Sequence, residues 1–290
     1  MKFNTLLIIP LVIVLCIHEI FLDNITLSKN VTTIICGDSH IKSAVNDSLI
    51  QHSINISQVS EHFLYTYNVL ALTLKNNPQI KKVILGVSYH SFSEHLDSYV
   101  FDENAGVMYS RYFSILNRQT ISELFHKNKK RVIFATPSII NSIRKTLTTK
   151  EISMYPFYGS FYKSKMSNLN ENTVNSAIKR HYYIDRNKLR KFSSSQKKYL
   201  AQITDLCSKK NVQLIFINTP INKQYKKKIP KTFIEDYYQT VAKLKTKYDI
   251  KLLDYNSINL PKSHYGDGDH LNYSGSLVLS KLIRDTLLKD

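Results

Sequence analysis

Two short polar clusters carry the side chains best suited to covalent chemistry in this 290-residue chain. They are Gly37-Asp38-Ser39-His40 and Asp267-Gly268-Asp269-His270. A serine hydroxyl is a weak nucleophile until a neighbouring base removes its proton. His270 is suited to be that base, and Asp267, three residues earlier, can orient the imidazole ring. The two clusters therefore predict acyl transfer through a serine, with Ser39, Asp267 and His270 as the catalytic residues.

The elements around both clusters alternate between strands and helices. Short β-branched or apolar runs predict buried strands at residues 31–36, 53–57, 82–87, 212–218 and 251–255. Apolar residues at helical spacing predict helices at residues 41–50, 61–75, 194–209, 233–248 and 274–288. This alternation predicts an α/β fold with a doubly wound, mostly parallel sheet. Sites in such folds lie beyond the carboxyl ends of the strands, where the first cluster falls.

The stretch from about 91 to 193 is less regular and is interpreted as an insertion that forms a lid or a substrate wall. Helices are predicted near 111–126 and 173–183, and residues 131–135 fit either a strand or part of a helix. Thr232 and Glu235 have the spacing of a capping box, which predicts where the helix 233–248 begins. The chain is therefore expected to be one domain carrying a long insertion.

The N-terminal segment is predicted to be a membrane element. Residues 5–17 contain no charge, and extending the run to Leu22 gives 18 residues, near the lower limit for a spanning helix. No small-residue cleavage site follows, which favours an uncleaved signal anchor over residues 1–27. Lys2 precedes the segment and Glu19 follows it, which places the domain 28–290 outside the cytoplasm. A buried core element is the alternative interpretation.

Composition indicates which classes of partner and site the protein can have. The chain has 40 Lys and Arg against 22 Asp and Glu, a net charge of +18, which favours anionic partners. No ribonucleoprotein motif, helix-turn-helix pattern or His/Cys finger occurs, so nucleic acid is not expected as a partner. Three cysteines without a CxxC pair exclude a disulfide framework and thiol zinc clusters.

Together the two clusters resemble the diagnostic blocks of the SGNH (GDSL-type) hydrolase and acyltransferase superfamily. Gly37-Asp38-Ser39 matches the first block, and Asp267-Gly268-Asp269-His270 matches the Asp-x-x-His block. The continuation His270-Leu271-Asn272-x-x-Gly275 is similar to the membrane-anchored branch, which includes proteins of alginate acetylation and teichoic-acid D-alanylation. The resemblance covers residues 31–89 and 212–288. It implies a three-layer α/β/α fold with a flavodoxin-like sheet, after one N-terminal transmembrane helix.

Several positions depart from the family pattern. His40 replaces the usual Leu, and Ser57 stands where an oxyanion Gly is usual. The family's Gly-x-Asn-Asp block reads Gly86-Val87-Ser88-Tyr89, so Ser88 replaces the oxyanion Asn. Besides the Ser39 N–H, the candidate oxyanion donors are Ser57 and Ser88, with His90 as a substitute. Loss of one such donor typically costs about 100- to 1000-fold in rate.

The resemblance implies a membrane-anchored, extracytoplasmic serine enzyme that transfers or removes acyl groups, acetyl above all, on a cell-surface polysaccharide. No cofactor and no metal are expected. The expected partners are an acylated glycan, the membrane and a polytopic membrane acyltransferase.

Four alternatives stay open. A carbohydrate esterase would use the same residues with water as the acceptor. A non-catalytic glycan-binding or assembly protein would keep the fold only. A metal site could use His264, Asp267, Asp269 and His270. Ser39 could also simply cap the following helix.

Overall fold

Five parallel strands form the central sheet of the computed structural model, which describes residues 26–149, 161–164, 167–185 and 188–288. The strands are β1 (Thr33–Cys36), β2 (Ser53–Asn55), β3 (Lys82–Gly86), β4 (Gln213–Asn218) and β5 (Ile250–Asp254). Their order across the sheet is β2-β1-β3-β4-β5. The α/β fold with a parallel sheet is confirmed, and each predicted strand is found within two residues of its expected bounds.

Ten α-helices connect or flank these strands in the described part of the chain. They are α1 (Ser39–Ala44), α2 (Phe63–Asn76), α3 (Ser98–Phe101), α4 (Ala105–Tyr112), α5 (Arg118–Thr149), α6 (Glu171–Tyr182), α7 (Ser194–Lys209), α8 (Lys223–Lys228), α9 (Lys231–Lys245) and α10 (Tyr273–Leu287). No helix among the described residues has both the length and the apolar character needed to cross a bilayer. The predicted anchor at residues 5–22 lies outside those residues, so it stays a prediction.

Helices cover both faces of the sheet because successive residues of a strand point to opposite sides. Ile34 of β1 joins a large core with side chains of α2 and α7, such as Leu70 and Ile203. Its neighbour Ile35 joins a smaller core with α1 and α10, through Ile41 and Ile283. Burial on both faces explains why the strands are continuous apolar runs rather than alternating ones.

Two local expectations need correction. The predicted helix 41–50 ends at Ala44, and a separate 3₁₀ turn follows at residues 47–49. Asn46 separates the two: its Oδ1 accepts the Ser48 N–H at 3.1 Å, the kind of local bond that favours caps over helix interiors. The predicted capping box is not formed, because α9 begins at Lys231 with Pro230 at its N-cap.

The predicted insertion is largely helical in its described parts. The region predicted as one helix at 111–126 is divided between the end of α4 and the start of α5, with a 3₁₀ turn at residues 113–115 between them. Residues 131–135 lie within α5, which confirms the helical alternative. Asn128 interrupts α5 with non-helical angles of φ −148° and ψ 43°, so residues 129–149 form a second helical segment after a kink.

Candidate active site

The turn after β1 presents Ser39 at the start of α1. Gly37 has a φ of 137°, a conformation that L side chains rarely adopt. A Cβ at this position would also lie 3.2 Å from the backbone nitrogen of Gly86 on the adjacent strand. Asp38 then caps α1, accepting the His40 N–H at 2.9 Å. The cap is therefore Asp38, and the Ser39 side chain is left for another role.

Ser39, His270 and Asp267 form one continuous chain of hydrogen bonds. The Ser39 hydroxyl lies 2.8 Å from Nε2 of His270, although the two residues are 231 positions apart in sequence. Nδ1 of His270 lies 3.0 and 3.1 Å from the two carboxylate oxygens of Asp267. A carboxylate can only accept, so Nδ1 carries the proton and Nε2 accepts from the serine. The structure thus brings the three predicted catalytic residues together.

The loop before α10 positions His270 rigidly. Asp267 Oδ1 also accepts the backbone N–H groups of Asp269 at 3.1 Å and of His270 at 2.9 Å. A Cβ on Gly268 would lie 2.7 Å from the carbonyl oxygen of Thr173 on α6, so only glycine allows this close approach. Asn272 caps α10 by accepting the Gly275 N–H at 3.2 Å. The loop is therefore held by its contact with α6 on one side and by the N-cap of α10 on the other.

A second, buried set of charges lies beside the hydrogen bonds that join Ser39, His270 and Asp267. The His40 ring is between two carboxylates: its Nε2 is 3.1 Å from Asp269, and its Nδ1 is 3.4 Å from Asp38. The His40 side chain is only 3% exposed, and neither nitrogen makes a well-aligned hydrogen bond. Burial disfavours the charged imidazolium, but Asp38 and Asp269 together raise the pKa of His40 to about 10. His40 is thus a buried cation held by two buried anions.

Further side chains complete this set, which we call the buried charge network: Asp38, His40, His90, His181 and Asp269, with Arg180, whose side chain is 44% exposed, at its outer edge. His90 Nε2 donates to Asp38 at 2.6 Å, and Arg180 pairs with Asp269 at 3.2 Å. The imidazole rings stack, with His40 4.5 Å from His270 and His90 4.5 Å from His181 between ring centres.

The pKa shifts within this network follow from burial and neighbouring charge. Burial opposes ionisation of Asp38, but His90 and His40 hold its pKa well below the usual range. Asp269 behaves in the same way, with His270 and His40 as the main stabilising neighbours. Burial and the charge of His40 lower the pKa of His90, and burial and His90 lower that of His181. The network therefore holds one charged histidine between two carboxylates and keeps the other two neutral.

Two groups of described residues have ligand atoms close enough to share a metal ion. One is Asp38, His40 and His90, and the other is His40, Asp269 and His270. Both groups need His40, whose charged ring already lies where a cation would neutralise the two carboxylates. The set proposed from sequence, which included His264 and Asp267, is not one of these groups.

Neither Ser57 nor Ser88, the two predicted oxyanion donors besides Ser39, lies on the wall of the cavity at Ser39. The Ser57 N–H donates to Asn55 Oδ1 at 2.9 Å, a local hydrogen bond to the side chain two residues earlier. The Ser88 N–H donates to Ser91 Oγ at 2.9 Å, because Ser88 begins a 3₁₀ turn. His90 does reach the cavity, but its Nε2 proton is used by Asp38. The Ser39 N–H has no acceptor among the described residues, so it is the predicted donor that stays available.

A cavity of about 390 Å³ opens at Ser39 and His270. Side chains of the predicted insertion supply much of its wall: His95, Leu96, Tyr99, Tyr162, Ser164, Arg180 and His181. Burial lowers the pKa of His95 to about 3, so this ring is neutral. Sequence reasoning missed Arg180 and His181, since α6 gives no motif there. The signal for His40 and His90 was their position after strand ends.

Comparisons with known proteins add little to this geometry. One protein-family model matches residues 185–290, which is under half of the chain. No curated protein matches the sequence. The chain is similar to a solved structure from Streptococcus pneumonia, provisionally described as a platelet activating factor, with 11% identity, 99% coverage of both chains and a TM-score of 0.43. A likeness this low carries no argument about activity, so the chemistry of the chain rests on its own residues.

Proposed function

We propose that this protein is an SGNH-type serine enzyme that cleaves acyl esters through an acyl-enzyme on Ser39. The observation that carries the proposal is the unbroken hydrogen-bonded chain from Asp267 through His270 to the Ser39 hydroxyl, at 3.0 and 2.8 Å. The matching Gly37-Asp38-Ser39 and Asp267-x-x-His270 blocks support the same assignment. A serine that only capped a helix would need no imidazole at its hydroxyl.

The chemistry follows from the protonation states. Ser39 Oγ attacks the acyl carbonyl carbon while Nε2 of His270 accepts the hydroxyl proton. The tetrahedral intermediate collapses, the ester C–O bond breaks, and His270 returns the proton to the departing alcohol oxygen. A water molecule or a sugar hydroxyl then loses its proton to His270 and attacks the acyl-Ser39 carbonyl. Asp267 stabilises the imidazolium in both steps without itself taking a proton.

The start of α1 provides the electrostatic support for the oxyanion. The Ser39 N–H has no acceptor among the described residues, and it lies where the first N–H groups of a helix point outward. With Ser57 and Ser88 directed elsewhere, this donor carries more of the oxyanion charge than it would in a complete family site.

Acylated cell-surface glycan is the proposed substrate class. Apolar and aromatic side chains on the cavity wall (Val59, Leu96, Tyr99 and Tyr162) suit a short acyl chain and the face of a sugar ring. The proposed N-terminal anchor would hold the enzyme at the outer face of the membrane, beside a polytopic acyltransferase partner that supplies acyl groups.

A non-catalytic glycan-binding role is the second candidate. The observation that favours it is the use of the Ser57 and Ser88 N–H groups in local hydrogen bonds, which leaves the oxyanion with few donors. Under this alternative the cavity would bind a glycan, and Ser39 would stay unmodified.

Fluorophosphonate labelling of the full chain, with the labelled site mapped by mass spectrometry, separates these candidates. We expect labelling at Ser39 that disappears in Ser39→Ala and in His270→Ala. Matched controls are Ser110→Ala and His126→Ala, which remove the same residue types outside the cavity and should label normally. A folded protein that does not label, yet retains glycan binding, would establish the binding role instead. Product analysis with an acyl ester and an oligosaccharide then separates transfer from hydrolysis.

A further inference from the structure

The second segment of α5, residues 129–149, has an apolar surface turned away from the protein core. Val132, Ala135 and Ile139 are 1%, 4% and 6% exposed and pack into the large core. Ile133, Phe134 and Ile140 are 55%, 82% and 59% exposed. Two aliphatic side chains two turns apart and a nearly bare phenylalanine on one helix are more than the isolated exposed apolar residue that any surface carries.

These exposed residues share one side of the helix. Positions 133, 137 and 140 follow i, i+4, i+7 spacing, with Phe134 beside them. The core-facing residues 132, 135 and 139 occupy a separate stripe. We call the exposed side the outer face of α5, defined by Lys129, Lys130, Ile133, Phe134, Pro137, Ile140 and Arg144.

Cationic side chains flank the apolar stripe. Lys129, Lys130, Arg131 and Arg144 of this segment are all exposed. Glu123 is the only acidic residue of α5, and two ammonium groups, of Lys127 and Lys198, already neutralise it. A helix with one apolar side and basic flanks has the composition of an interfacial helix, in which lysine stems extend along the apolar surface and their charges reach anionic headgroups.

We propose that the outer face of α5 lies on an anionic lipid bilayer, with Phe134 inserted at the headgroup boundary. The basic charge of this face favours an anionic bilayer over a second copy of the chain. A second copy of the chain would bring one basic face against another, in a protein whose net charge is already +18. An anionic bilayer offers both the opposite charge and an apolar layer for Phe134 and its two aliphatic neighbours. The contact is additional to the proposed N-terminal anchor and would fix how the domain is turned toward the membrane.

The chain contains no tryptophan, so Phe134→Trp creates a single fluorescent reporter. The full chain is reconstituted in nanodiscs of phosphatidylcholine and phosphatidylglycerol, with or without brominated acyl chains. Leu288→Trp is the matched reporter: Leu288 is 73% exposed and follows α10, which packs on the opposite face of the sheet. We expect blue-shifted emission and strong bromine quenching for the tryptophan at 134, and neither for the one at 288.

Charge and salt test the electrostatic part. In the Phe134→Trp background, Lys129→Glu and Lys130→Glu should each lower the ratio of lipid-contacting to free helix by more than about fivefold. In nanodiscs without phosphatidylglycerol, brominated lipid should quench the tryptophan at 134 only weakly. Equal quenching in neutral and anionic discs would overturn the proposal. So would blue-shifted emission already present in detergent and insensitive to brominated lipid, which would mean that another protein segment or a second copy covers the face.

Discussion

The Ser39–His270–Asp267 chain and the buried charge network use the same residue types in opposite surroundings. In the hydrogen-bonded series from Asp267 to Ser39, the side chains of His270 and Asp267 are 19% and 42% exposed. In the network, those of His40 and Asp269 are 3% and 1% exposed. A partly exposed imidazole with one acceptor and one donor partner can exchange a proton with a substrate. A buried imidazole between two carboxylates keeps its proton, so burial separates a proton carrier from a fixed charge.

The two sets also act on each other. The charged His40 ring stacks 4.5 Å from His270, and Asp269 approaches His270 Nδ1 at 3.5 Å, behind Asp267 at 3.0 Å. His270 is thus surrounded by two carboxylates and one imidazolium. The two carboxylates would stabilise the positive charge that forms on His270 during the proposed attack, and the His40 imidazolium would oppose that same charge.

The largest expected effect is on activity and comes from Asp267, in the more exposed of the two groups of residues. Asp267→Asn should lower the rate of Ser39 labelling or ester cleavage by about 10⁴-fold, because an amide no longer enforces the reactive tautomer of His270. The free energy of unfolding should change little, since the carboxylate is 42% exposed. Asp205→Asn, which removes an equally exposed ion-paired carboxylate, is the control. Retention of most of the activity in Asp267→Asn would mean that Asp269 performs the orienting role.

The next effect concerns stability. His40→Leu removes the cation between Asp38 and Asp269 and should lower the free energy of unfolding in urea by about 3–5 kcal/mol. The contribution of His40 should be complete below pH 6.5 and should be lost as the pH rises through about 10, because its pKa is higher in the folded state. His126→Leu, at an exposed site, is the control. An unchanged free energy of unfolding in His40→Leu would show that the network carries no fixed charge.

Glu61, a buried carboxylate with no ion pair among the described residues, sharpens the comparison through the pH dependence of stability. Burial raises the pKa of Glu61 from 4.5 to about 8, and Thr66 bonds it at 2.9 Å. The folded state binds one more proton than the unfolded state in this range, so stability falls as pH rises from about 5 to 8, by up to about 1.4 kcal/mol per unit.

Glu61→Gln should remove this slope, and Glu235→Gln, at an exposed site, should keep it. Urea unfolding of the three proteins at pH 5, 6, 7 and 8 is the measurement. A wild-type stability that rises over this interval, relative to Glu61→Gln, would contradict the buried neutral carboxyl.

Local patterns predicted the scaffold well, because strands such as 82–87 and helices such as 194–209 are determined by residues next to one another. The meeting of Ser39 with His270 was also predictable, since both follow elements that end at the same edge of a parallel sheet. The network was not predictable, because His181 lies on α6 and nothing local marks it as a neighbour of His40. The observed helix ends also differed from the predicted ones where a single residue, such as Asn46 or Pro230, determines where the helix ends or begins.

The 231-residue separation of Ser39 and His270 has a consequence during synthesis. The strand, turn and helix around Ser39 depend on the first half of the chain, but the proposed base for its hydroxyl is absent until residues 267–270 have emerged from the ribosome. Long-range contacts of this kind form late because a large loop must close first. Under the proposed mechanism, a nascent or truncated chain would therefore carry an inert serine, and reactivity would begin only when α10 docks beside α1.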